Sequence, residues 1–228
     1  MKISIIIPTL NEEEYIGELI GYLKSNSNGK VSEIIVVDAG SHDDTVKKVR
    51  ATDAILIQSE KKGRATQMNM GAKAATGDVL YFVHADVKMP VTFAEDIENA
   101  LIEGASLGCY RYVFDIRNPL LRFNEFMIRF DGIMCRGGDQ TLFVTKKIFE
   151  EIKGFDEKFV IMEDYDFIRR AKKGNIFKII PKNAVVSARK YMSNSYARIQ
   201  LSNLAVFMMY FLKFSPVAMS KFYKKMIK

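Results

Sequence analysis

The sequence predicts an α/β fold: a mainly parallel sheet flanked by helices, with a C-terminal helical tail. Three observations lead there. Short apolar runs alternate with helix-like patterns through the first half of the chain, the rhythm of a helix-covered parallel sheet. Carboxylates stand just after or beside strand-like runs, where the ligand crevice of an open α/β sheet lies. From Ser195 onward the composition turns apolar and basic.

Taken in order, Ile3–Ile7 reads as a buried first strand, and Asn11 followed by Glu12, Glu13 and Glu14 as a helix start. That helix places Tyr15, Ile16, Leu19, Ile20 and Leu23 on one face. A second strand, Ile34–Val37, leads through a loop to a short helix from about Asp43, which caps it. Ala54–Ile57 is a third strand, Arg64–Ala75 a helix and Val79–Val83 a fourth strand. Pro90 is placed to open a helix carrying Phe93, Ile97 and Leu101, closed by Gly104. Beyond it come a longer strand, Ser106–Asp115, an amphipathic helix, Leu120–Met134, and a strand, Thr141–Val144. Ile148–Lys153 and Glu163–Lys173 read as helices ended by Gly154 and Gly174, and Ile176–Ile180 and Ala184–Ala188 as short closing strands. With no repeat, low-complexity linker or second core, residues 1–190 form one domain and 191–228 a helical, apolar and basic tail.

The bulk properties narrow the function. A chain of 228 residues with 48% hydrophobic residues has a substantial core and is not disordered. A net charge of +7 favours anionic partners, and its wide spread along the chain argues against nucleic acid. Cys109 and Cys135 form neither a CxxC pair nor a Cys/His cluster, so a disulfide framework and a zinc site are not expected. Met1–Pro8 has too short an apolar run for a signal peptide, which makes a reducing, cytoplasmic setting the default. In the tail, the nine apolar residues Leu204–Leu212 are too few to span a bilayer, which takes ~20 in a helix. Two readings stay open: a helix packed on the main domain or on a dimer partner, or peripheral contact with the inner face of an anionic membrane, helped by Lys221, Lys224, Lys225 and Lys228.

Several constellations carry chemistry. Thr9, Asn11 and Glu12 lie in the first strand-to-helix turn, where they either cap a helix or hold a nucleoside. Asp38 follows the second strand, and Gly40 and Ser41 beside it allow close approach, so its carboxylate suits a base N–H or a ribose hydroxyl. Lys61-Lys62-Gly63-Arg64 meets a helix start, a natural phosphate site. Neither a Walker A pattern nor GxGxxG is present, which disfavours P-loop NTPases and nicotinamide enzymes. His84 and Asp86 are two apart, so on an extended backbone they point the same way and suit one cation. Glu163 and Asp164 open a helix, where acids are stabilised by its dipole in any case.

The segments PTLNEEEYI, IIVVDAGSHDDT, GRATQMNMGAKAATGDVLYFVHAD, GGDQTLFVTKKIFEEIKGFDE and MEDYDFIRR occur in the order found in family-2 glycosyltransferases. Residues 3–173 resemble that family, and specifically its short single-domain subgroup with His-Ala-Asp in place of Asp-x-Asp. The resemblance implies a GT-A fold, a nucleotide-diphosphate sugar donor, a divalent cation (Mg²⁺ or Mn²⁺) and inversion at the anomeric carbon. By position it makes Thr9, Glu12 and Asp38 nucleoside-binding, Arg64 a basic group near the nucleotide, Asp86 with His84 the metal site, and Asp164 the general base. Gly137-Gly138-Asp139-Gln140 matches the loop on the acceptor side, which places Asp139 and Gln140 among the substrate-binding residues. The absence of tryptophan removes the Gln-x-x-Arg-Trp motif of processive synthases, so a single transfer, from a UDP-linked donor to a glycan, lipid or small-molecule hydroxyl, is expected. Two rivals are a non-catalytic nucleotide-sugar-binding or membrane-scaffold protein on the same fold, kept open by His84, and a nucleotidyltransferase, whose Gly-rich, Arg-bearing N-terminal loop is lacking.

Overall fold

A computed structural model describes residues 1–132, 135–136 and 140–227. β1 (Ile3–Thr9) is followed by α1 (Ile16–Ser25), β2 (Val31–Asp38), α2 (Thr45–Arg50), β3 (Ile55–Gln58), α3 (Arg64–Ala74) and β4 (Val79–Phe82). These four strands pair in parallel in the order β3-β2-β1-β4. The uninterrupted isoleucines and valines of β1 and β2 fit a sheet buried on both faces. Alternate residues divide between two cores: Ile3, Ile5, Ile7, Ile34 and Val36 pack on one side with α1. Ile6, Ile35 and Val37 pack on the other with α3.

The second half extends the sheet. β5 (Val87–Lys88), α4 (Phe93–Ile102), β6 (Leu107–Phe114), α5 (Pro119–Met127), β7 (Leu142–Thr145), α6 (Lys146–Glu151), α7 (Glu163–Ala171) and β8 (Phe177–Val186) follow. The eight strands run β3-β2-β1-β4-β7-β6-β8-β5, with β7 antiparallel to β4 and β6, β5 antiparallel to β8, and β6 parallel to β8. The expected α/β fold, mainly parallel and helix-flanked, is therefore present. α8 (Arg189–Ser193) bridges the domain and the tail, which goes on as α9 (Tyr196–Phe211) and α10 (Pro216–Met226). Ser195 and Ser215 cap the last two helices by accepting the Arg198 and Ala218 amides. The tail packs on the chain: a third core joins Val206 of α9 and Met219 of α10 to Met162, just before α7.

Several expected elements shift. Asn11 does not start a helix; it takes a left-handed backbone (φ 56°), and α1 begins only at Ile16. Its side-chain oxygen instead accepts the His42 amide, tying the β1 loop to the β2 loop. Pro90 opens a turn closed by the Phe93 amide on its carbonyl, and α4 starts at Phe93. α5 stops at Met127, short of the expected Met134, which lies outside the described residues. The two closing strands are one, β8, interrupted by a register shift against β6. β4 ends at Phe82, so His84 and Asp86 sit in a turn rather than on extended backbone. Their spacing of two therefore does not put the side chains on one face of a strand, contrary to the sequence expectation.

Candidate active site

Thr9, Glu12, Asp38 and Asp86 all lie at or just beyond the C-terminal ends of the neighbouring strands β1, β2 and β4. Gln67, buried in α3, fastens two of these ends by donating from one amide to the carbonyls of Thr9 (2.9 Å) and Val37 (2.7 Å). α3 lies close enough for this because Gly71 faces β1: a Cβ there would fall 2.5 Å from Ile6 Cγ2.

Asp38 is 1% exposed. One carboxylate oxygen accepts the amides of Gly40 and Ser41, both at 2.9 Å, and the other accepts the Ser41 hydroxyl. Buried Thr9 directs its hydroxyl at Asp38 Oδ1 and the Val37 carbonyl, both at 3.4 Å. Asp43 accepts the amide and hydroxyl of Thr45 at the start of α2, the expected cap, working one residue upstream of the N-cap position.

Glu12 and Asp86 meet through Arg189, the first residue of α8. Its Nη1 and Nη2 donate to the two Glu12 oxygens at 2.9 and 2.8 Å, and its Nε lies 3.2 Å from Asp86 Oδ2. The Glu12 hydrogen bonds, with the Asp86 charge behind them, hold this guanidinium above its ordinary pKa. His84 behaves oppositely. Burial first, then the positive charges of Arg64 and Arg189, push it down to about 3, which keeps its imidazole neutral. Among the described residues, no group of three or more His, Cys, Asp or Glu side chains is arranged as a cation site.

A cavity of about 450 Å³ is lined by Arg64, Gln140, Asp164 and Lys190 among polar groups. Phe123, Met127, Leu204 and Phe207 are among the apolar ones. Met162 takes a left-handed backbone (φ 68°) at the N-cap of α7, so Glu163 and Asp164 enter its first turn at once. The positive end of the helix favours both carboxylates. Glu163 is turned inward, 2% exposed, with Arg64 Nη2 2.6 Å from its Oε1. Asp164 lines the cavity. Asp166 is instead taken by Arg170 at 2.7 Å and Arg169 at 3.2 Å, a structural role.

Gln140 is buried beside fully buried Arg136, whose guanidinium donates to Gln140 (3.4 Å), the Ile128 carbonyl (2.7 Å), the Phe130 carbonyl and Cys109 Sγ (3.0 Å). Asp139 lies outside the described residues. The structure thus brings Arg64, Gln140 and Asp164 to one cavity and Glu12 and Asp86 to one guanidinium, while Thr9 and Asp38 are buried in their own loops. Sequence reasoning missed Arg189, Lys190, Gln67 and Arg136. Arg189 had a signal: it stands directly after the strand-like run Ala184–Ala188, as the carboxylates stand beside theirs.

Residues 4–187 match glycosyl transferase family 2. The chain belongs to that family. Dolichol-phosphate mannosyltransferase of Pyrococcus furiosus is 32% identical over 119 residues, covering 50% of this chain and 34% of the relative. Glucosyl-3-phosphoglycerate synthase of Mycolicibacterium smegmatis is 32% identical over 96 residues, covering 39% of this chain and 32% of the relative. The matches thus span about a third of these curated relatives, 34% and 32% of their lengths. Among solved structures, TarS 1–349 of Staphylococcus aureus in complex with UDP-GlcNAc superposes with a TM-score of 0.67 at 19% identity, covering 99% of this chain and 71% of that one. Glucosyl-3-phosphoglycerate synthase of Mycobacterium tuberculosis, with Mn²⁺, UDP and its product, gives 0.59 at 20% identity, covering 81% and 70%. At these identities the likeness concerns the fold.

Proposed function

We propose that this family-2 chain transfers a single sugar, with inversion, from a UDP-linked donor to a hydroxyl acceptor. The observation that carries the reading is that Asp164 and Arg64 line one cavity with Lys190, whose chain neighbour Arg189 holds Glu12 and Asp86 at the strand ends. In the step, the acceptor oxygen bonds to the anomeric carbon as the bond to the diphosphate oxygen breaks, and the electron pair leaves with the diphosphate. The acceptor proton passes to Asp164, as an alkyl hydroxyl is almost fully protonated at neutral pH. Arg64, at the N-terminus of α3, faces the diphosphate charge as the bond breaks. Asp38 serves the nucleoside by shaping the Gly40–Ser41 loop as well as through its own oxygens. Asp139 and Gln140 belong, on this reading, to the acceptor side, and Gln140, braced by Arg136, forms part of that wall. The chain fits the short subgroup with His84-Ala85-Asp86 as its metal motif, and residues 1–190 carry the site, with the tail completing the cavity.

The donor set suits a divalent ion: Asp86 is a carboxylate and His84 a neutral imidazole, both half-buried in the turn after β4. Oxygen and nitrogen ligands of this kind fit Mn²⁺, and the carboxylate alone fits Mg²⁺. Such an ion, when bound, would neutralise the departing diphosphate.

Exposed apolar side chains flank the cavity on α5 (Leu120, Phe123 and Phe126) and on α9 (Leu201, Leu204, Met208 and Phe211). With the lysines of the tail they support peripheral contact with an anionic membrane, a homodimer being the alternative that a mass measurement separates. No described helix is long and apolar enough to cross a membrane.

The test is a screen of nucleotide sugars for protection against thermal unfolding, with and without Mn²⁺, followed by an assay of UDP release with hydroxyl acceptors. A UDP-sugar that protects and then yields UDP only when acceptor is added supports transfer. Protection without UDP release from any acceptor would leave a binding protein.

A further inference from the structure

Glu12 and Asp86 reach the same point from loops after two adjacent strands, β1 and β4. Two carboxylates converging this way repel unless a cation lies between them. That cation is the guanidinium of Arg189, with two nitrogens on Glu12 and the third on Asp86. The Tyr15 ring, 5.6 Å from the guanidinium carbon, adds a further hold. We propose that Arg189 is a tethered counterion of the donor site, which yields Asp86 to a divalent cation when the nucleotide loads and takes it back when the cation leaves. The inference rests on the reading of Asp86 as the metal carboxylate.

The grip is uneven in a way that suits exchange. Arg189 holds Glu12 through a two-nitrogen fork, the stronger arrangement, and Asp86 through one 3.2 Å contact. A divalent ion at Asp86 competes with Arg189 for that one contact, and Arg189 can retreat while Glu12 keeps it nearby. The retreat needs only the side chain to swing, since Tyr191 anchors α8 on the core while Arg189 lies at the surface. The Arg189 side chain itself is 48% exposed. Arg189 is a positioning residue on this account: it fixes Asp86 before the metal arrives and sets how tightly the metal is held.

The experiment measures Mn²⁺ binding directly, by the loss of the free-ion electron paramagnetic resonance signal, on the full chain with and without UDP. The parent is expected to bind Mn²⁺ weakly alone and more tightly with UDP. Arg189→Met should tighten the UDP-free Mn²⁺ affinity about tenfold, inside the 5–150-fold range of ordinary coupling between sites. Arg189→Lys keeps the charge but loses the fork on Glu12, so it should tighten binding by a smaller factor; it carries the test if the methionine variant does not fold. Asp86→Asn separates the two readings. If Asp86→Asn weakens Mn²⁺ binding with UDP while neither Arg189 variant changes the UDP-free affinity, the exchange is wrong and the metal assignment stands. If Asp86→Asn leaves Mn²⁺ binding unaltered, or the parent binds no Mn²⁺ even with UDP, the metal assignment falls and the exchange with it.

Discussion

The loops at the ends of β1 and β2 and the walls of the cavity are built on different principles. In the loops, polar groups are answered by near neighbours: Asp38 by Gly40 and Ser41, Asp43 by Thr45, and Asn11 by the amide of His42 across one strand pair. The cavity draws Arg64 from α3, Phe123 from α5, Asp164 from α7, Lys190 from α8, Leu204 from α9 and Tyr223 from α10. Local hydrogen bonding therefore sets the first region and long-range packing the second. On the proposed function, the nucleotide side needs little beyond a fixed backbone, whereas the acceptor side has to be assembled from the whole chain.

The sharpest way to break this contrast is Asp164→Asn. Size and helix-capping capacity are nearly preserved, but the side chain no longer takes up the acceptor proton. Transfer should fall by ~10²–10⁴-fold, the usual worth of a positioned general base, with UDP binding nearly unchanged in calorimetry. Near-parental turnover would move the base to another residue, with Asp139 next in line; Asp166 is already engaged by two arginines.

Next comes the packing that joins the tail to the cavity. Met219 is fully buried in the third core, so Met219→Ala should cost about 2–5 kcal/mol of stability in urea unfolding. Because that core holds Met162 beside Glu163 and Asp164, the same variant should lose transfer more than it loses UDP affinity. Equal losses in both would mean that the two regions are mechanically one.

On the loop side the effects are smaller. Ser41→Ala removes one of four donors to Asp38 and should cost about 0.5–1.5 kcal/mol, read from the urea midpoint. An unchanged midpoint would show that the Gly40 and Ser41 amides and the Thr9 hydroxyl suffice to set the loop. The last is a pH dependence at His84, small near neutrality and growing as the solution is acidified. Its imidazole titrates at about 3 in the folded chain against an ordinary value of 6.5. Between those values the unfolded chain binds the extra proton, so stability should decline as pH drops below about 6.5. His84→Gln should flatten that decline, and parallel slopes in the two proteins would remove the histidine from it.

This division explains what could be read in advance. The strands β1, β2 and β4 and the carboxylates beside them are legible because a doubly buried strand must be a continuous apolar run, and a polar residue ending it is conspicuous. The start of α1 was misplaced because Asn11 and three glutamates have the composition of a helix N-terminus, yet the first two side chains are spent across loops: Asn11 on His42 and Glu12 on Arg189. Arg189 itself carries no local signal of its role as a partner of Glu12, which is 177 positions away in the chain. Lys190 and the apolar walls carry no local pattern, because what they line exists only after the tail has folded back.

That folding back has a consequence for how such a chain can change over time. Met162 is at once the left-handed hinge that presents Asp164 and a member of the core that seats α9 and α10. The tail is thus not a cassette that recombination can exchange freely. A chimaera that imports a foreign α9 and α10 must import the segment from Phe159 to Tyr165 with them, as these residues pack against the same core. If Asp164 is the base, new acceptor preferences would be inherited as one block containing both the base and its wall, while the strand-end loops pass unaltered from one descendant to the next.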